Sequence, residues 1–88
     1  MEITHIIKRD SEISIFELDK ITKAIEKAML SVNNGSKSDA AAISKSVNET
    51  LLETKLSEPK YTPTVEQVQD IVELKLMNSP FQDVAKAY

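Results

Sequence analysis

The chain has 88 residues, 41% of them hydrophobic and 28% charged, with no cysteine, one histidine and a formal net charge of -3. A chain of this size is one domain with one modest core, burying about 60–65% of the surface its unfolded form exposes, so a bound ligand can add appreciably to its stability. The composition excludes disulfides, thiolate zinc sites, thiol nucleophiles and, with His5 alone, any multi-histidine metal centre. An acidic balance also argues against a general nucleic-acid binder, which normally carries a basic excess.

No apolar run approaches about 18 residues, and Met1-Glu2-Ile3-Thr4 lacks a basic leader segment. Neither a membrane span nor a signal peptide is expected, and the cytoplasm is the expected compartment. In chain order, Ile3 to Arg9 and Glu12 to Phe16 are short β-branched runs separated by Asp10-Ser11, the pattern of a hairpin over residues 3–16. Helical spacing then takes over. Leu18, Ile21, Ile25, Ala28, Met29 and Val32 recur at three- and four-residue steps over about residues 18–33, and Asn33-Asn34-Gly35-Ser36 ends the run.

Ser38 is the expected cap of a second helix over about residues 39–56, whose Ile43, Val47, Leu51 and Leu52 form an apolar stripe. Glu58-Pro59 stops it, and Lys60-Tyr61-Thr62-Pro63 reads as a brief extended piece able to add an edge strand to the hairpin. Thr64 with Gln67 forms a capping box for a third helix over about residues 65–78. Ser79 with Gln82 repeats that pattern, with Pro80 at the first position of a fourth helix over about residues 80–88. The expected fold class is α+β: a sheet of two or three strands capping four helices.

The densest basic grouping is Lys8, Arg9 and Lys20, with Lys23 and Lys27 further along the first helix. Ammonium and guanidinium groups beside a helix start suit a phosphate ligand, although a solvated basic face has the same pattern. Strand alternation sends Lys8 and Arg9 to opposite faces, so both reach one ligand only where the strand ends or twists. Glu66, Asp70 and Glu73 share a helix face that reads as solvated. With a single glycine, neither the Walker nor the dinucleotide phosphate loop is possible. No patterned nucleophile accompanies His5.

The order Ile6-Ile7-Lys8-Arg9-Asp10, Phe16, Asp19-Lys20-Ile21 and Ala24-Ile25, followed by Thr64-Val65-Glu66-Gln67-Val68-Gln69-Asp70-Ile71-Val72-Glu73 and Val84-Ala85-Lys86-Ala87-Tyr88, resembles the ATP-cone family. That family is an allosteric nucleotide-binding domain. The stretch Leu76-Met77-Asn78-Ser79-Pro80-Phe81 leading into Tyr88 is most similar to anaerobic ribonucleoside-triphosphate reductases. The resemblance implies an ATP-cone fold over residues 1–88, acting as a regulatory domain of such an enzyme in deoxyribonucleotide synthesis. Catalysis would lie outside a chain that has no cysteine.

It further implies ATP or dATP as effector, with Mg²⁺. Lys8, Arg9 and Lys20 would contact phosphates; Ile6, Ile7 and Ile21 would line the base and sugar; Thr64 or Val65 would touch the nucleotide; and Lys86 would reach the phosphates. Partners would be the remaining reductase domains and a second cone, with no nucleic acid or membrane. Three positions depart from the family pattern. Ser11 replaces a usual Gly and disfavours a positive-φ turn; Glu17 replaces a better helix cap; Ser14 replaces an acidic residue. The other readings are the cone of a reductase-gene repressor and a helical interaction module whose nucleotide site has decayed.

Overall fold

The computed structural model describes residues 2–88. In chain order these form β1 (His5–Ile7), β2 (Ile13–Ile15), α1 (Leu18–Ser31), α2 (Lys37–Ser57), α3 (Val65–Met77) and α4 (Gln82–Ala87). This is the α+β arrangement of a small antiparallel hairpin over four helices. Ile6 faces Ser14 across the hairpin, with His5 opposite Ile15 and Ile7 opposite Ile13. The helices pack in a closed ring: α1 on α2, α2 on α3, α3 on α4, and α4 back on α1. Their apolar stripes meet at Ile25, Val47, Leu51, Val72, Leu76 and Val84, all fully buried. None of the helices described is long and apolar enough to cross a membrane.

The hairpin turn keeps the left-handed conformation that its sequence disfavours. The Ser11 N–H donates to the Lys8 carbonyl at 2.9 Å and the Lys8 N–H to the Glu12 carbonyl at 2.8 Å, with Ser11 at φ 69°. Asp10 Oδ1 supports the turn by accepting the Glu12 N–H at 3.1 Å. The short loop needs a left-handed residue at this point to match the twist of the strands, and Ser11 supplies it at a steric cost.

Three local expectations are corrected. The third strand is reduced to one bridge between Ile7 and Thr64, in which the Ile7 N–H donates to the Pro63 carbonyl at 2.9 Å. Pro63 has no N–H with which to extend a ladder. Ser36, not Ser38, caps α2, in a capping box with Asp39; three residues after Ser38 stands Ala41, which cannot return the bond. Ser79 closes α3 instead of opening α4: its hydroxyl donates to the Leu76 carbonyl at 2.6 Å and accepts the Phe81 N–H at 3.1 Å, so α4 begins only at Gln82. At the end of α1 it is Asn33, at φ 53°, that turns the chain. The Asn34 N–H then reaches the Met29 carbonyl at 3.0 Å and the Asn33 N–H the Leu30 carbonyl at 3.2 Å, a Schellman ending. The expected Thr64–Gln67 box does cap α3.

Candidate functional site

A cleft of about 260 Å³ opens where one face of the hairpin meets α1 and α3. Its walls follow from the periodicity of each element. Alternation along the first strand puts Ile6 and Lys8 on one side; one turn of α1 supplies Lys20, Ile21 and Ala24; and the first turns of α3 supply Val65, Val68 and Gln69. Ser14 and Ile15 of β2, the Phe16-Glu17 junction and Tyr88 complete it. The lining is mostly apolar, and Lys8 and Lys20 belong to it. Lys8 makes no ion pair among the described residues.

Lys20 is held differently. Glu17 occupies the N-cap position of α1 but makes no side-chain cap bond; its Oε2 lies 2.9 Å from Lys20 Nζ. The hydrogen bond and charge of Glu17 raise the Lys20 pKa above its ordinary value. Tyr88 is half-buried, and burial, helped by the Glu73 carboxylate, lifts its phenol above the ordinary range.

A second cleft of about 220 Å³ is lined by Ile7, Lys8, Arg9, Ser11, Thr64 and Glu66. Lys8 is common to both clefts. Arg9 turns toward α3, donating from Nη2 to Gln69 Oε1 at 3.1 Å and standing with Nε 4.0 Å from Glu66 Oε1. The Thr64 hydroxyl is engaged in its capping box, accepting the Gln67 N–H at 3.1 Å.

Of the residues singled out from the sequence, Ile6, Lys8, Lys20 and Ile21 therefore share the larger cleft, together with Val65, the alternative to Thr64. Ile7, Arg9 and Thr64 line the smaller one. Lys86 joins neither: it lies on a separate groove between α3 and α4 with Glu73, Met77, Gln82 and Asp83. Sequence reasoning missed Val68, Gln69, Glu17 and Tyr88 as cleft residues. Val68 and Gln69 follow from Val65 by the three- and four-residue helical steps. Tyr88 carries no local signal, because only the closing of the helix ring brings it to α1.

The chain matches the ATP cone domain family over residues 4–88. A vitamin B12-dependent ribonucleoside-diphosphate reductase of Thermoplasma acidophilum is 44% identical over 91 aligned positions, which cover 98% of this chain and 11% of the reductase. The chain thus spans about a tenth of that relative's length. With the match running from the hairpin to the end of α4, the chain belongs to the ATP cone domain family.

Proposed function

We propose that this chain is the nucleotide-sensing regulatory domain of a ribonucleotide reductase, taking ATP or dATP as effector. The observation that carries the reading is the position of Lys8 on both clefts, with a mostly apolar lining on one side of it and Arg9 and Thr64 on the other. Base and sugar suit the larger cleft, where Ile6, Ile21 and Val68 offer apolar contact. Phosphates suit the cations Lys8, Lys20 and Arg9. The larger cleft, at about 260 Å³, lies just under the roughly 300–1,000 Å³ usual for small-molecule sites. A charge-assisted hydrogen bond from each cation contributes about 1.5–3 kcal/mol, and Mg²⁺ would neutralise part of the phosphate charge.

ATP and dATP differ by one 2'-hydroxyl, so opposite effects on an enzyme require that each favour a different arrangement of the domain against its surroundings. A coupling of about 1–3 kcal/mol is enough for such a switch. Activation by ATP, inhibition by dATP, self-association of cones and a cytoplasmic setting all belong to this reading. The repressor and interaction-module readings receive no support from a reductase relative of this identity.

Two parents compete. The stretch from Leu76 to Tyr88 favours an anaerobic triphosphate reductase, whereas the Thermoplasma relative favours a vitamin B12-dependent diphosphate reductase. The second has more support, since that likeness covers 98% of the chain. Adenosylcobalamin-dependent reduction of CDP by the enzyme that carries this domain decides between them.

The test of the reading itself is calorimetric titration of the 88-residue chain with ATP and dATP in Mg²⁺. Saturable binding is expected, weakened about tenfold or more by Lys8→Ala and unaltered by Lys86→Ala. A folded chain that gives no heat with either nucleotide overturns it.

A further inference from the structure

Two of the three cations at the clefts are already engaged by acceptors of the domain itself. Lys20 is held by Glu17 at 2.9 Å. Arg9 is held by Gln69 at 3.1 Å and approached by Glu66 at 4.0 Å. Glu17 lines the larger cleft and Glu66 the smaller. Neither carboxylate caps its helix: Glu17 makes no cap bond at α1, and α3 is capped by Thr64 and Gln67. Each is a negative charge standing where an anionic ligand would have to stand.

We infer that Glu17 and Glu66 are built-in competitors for the phosphate-binding cations, holding down the affinity of the domain for polyphosphate. The inference rests on the nucleotide reading above and adds to it how the site is tuned. A ligand must displace the Glu17 carboxylate from Lys20 and draw Arg9 away from Gln69 and Glu66. It then binds beside two carboxylates that repel it. Both pairs are exposed, with side-chain exposures of 80% and 50% for Lys20 and Glu17 and 67% and 73% for Arg9 and Glu66. Solvent screens such pairs, so each displacement is a small opposing contribution and not a block. The benefit is reversibility: an effector site answers to changing concentration only while its affinity lies near that concentration.

Glu17→Gln and Glu66→Gln test this, since each keeps the side-chain size and removes the charge. Titrations with ATP, adenosine and inorganic tripolyphosphate are run on the wild-type chain, both single variants and the double variant, with circular dichroism to establish folding. Each single variant is expected to bind ATP about threefold more tightly, and the double variant about tenfold, as independent exposed pairs should combine. The gain should be larger for ATP than for adenosine, because only the phosphates compete with the carboxylates. Unchanged or weaker ATP binding in both folded variants overturns the inference, as does an equal gain for adenosine and ATP. A folded wild type that binds neither ATP nor tripolyphosphate overturns the nucleotide reading itself, and the inference with it.

Discussion

The helix ring and the hairpin are built to opposite standards. In the ring, Ile25, Val47, Leu51, Val72, Leu76 and Val84 are fully removed from solvent, whereas Ile13 and Ile15 of β2 remain 68% and 70% exposed. The ring is closed, each helix resting on two others. The hairpin has only three residues in each strand, a size that is marginal by itself in water. It is held by Ile3, Ile6 and Phe16 against the core, by a backbone bond from Ile7 to Pro63 and by the Arg9 side chain on Gln69. The candidate cleft lies on the seam between these regions. A ligand there would add contacts to the part of the molecule least secured by its own packing, which is where binding can change structure at small cost.

The sharpest way to test that contrast is to damage the ring. Leu51→Ala removes a fully buried side chain of α2 and should lower the unfolding free energy by about 2–5 kcal/mol, read from urea denaturation followed by circular dichroism. A loss well under 1 kcal/mol would mean that the ring is not the main source of stability.

The hairpin offers a change of opposite sign. Ser11 sits at φ 69°, a conformation that costs an L-residue roughly 1–2 kcal/mol, while Gly gives part of that back as chain entropy in the unfolded state. Ser11→Gly should therefore stabilise the chain by about 0.5–1 kcal/mol. Slower amide exchange is expected at Lys8, whose N–H closes the turn on Glu12. Protection that rises equally throughout α2 would mean that hairpin and ring open together.

The smallest expected effect is alkaline. Tyr88, through burial and then Glu73, and Tyr61, through burial and then Glu58, both have phenol pKa values raised in the folded state. The folded form thus keeps its phenolic protons longer than the unfolded form. That contribution is fully present below the ordinary phenol value of about 10 and is lost as pH rises from there through the raised folded values. Thermal unfolding midpoints should fall as pH is taken past 10, and Tyr88→Phe should flatten the fall.

Much of the fold was legible because its signals are local. Three- and four-residue apolar spacing marked α1, α2 and α3, and the Thr64–Gln67 box marked where α3 starts. The misassigned caps were also local, but each offered two candidates. Ser36 and Ser38 stand two residues apart, and the deciding feature is the partner three residues on, Asp39 or Ala41. Ser79 had a suitable Gln82 yet bonded backward to Leu76, a competition that spacing does not reveal. For the site, Lys8, Ile6, Lys20 and Ile21 were found together, since one strand and the adjoining helix turn carry them. Glu17 was noticed only as a poor cap, although the same missing cap bond leaves its carboxylate for Lys20.

By itself, then, the amino-acid sequence determined the element types, the apolar stripes that close the ring, the exclusion of thiol and multi-histidine chemistry, and the supply of cations near the first helix. These depend on residue chemistry and on spacings within one or two turns. Tertiary structure alone decided that Lys8 serves two clefts, that Arg9 is drawn to Gln69 and Glu66 of α3, that Lys86 lies on another groove, and that Tyr88 returns to α1. Those outcomes depend on how elements far apart in the chain are brought together. A side chain's partner in such a case is set by the packing of the whole ring and not by its neighbours in sequence.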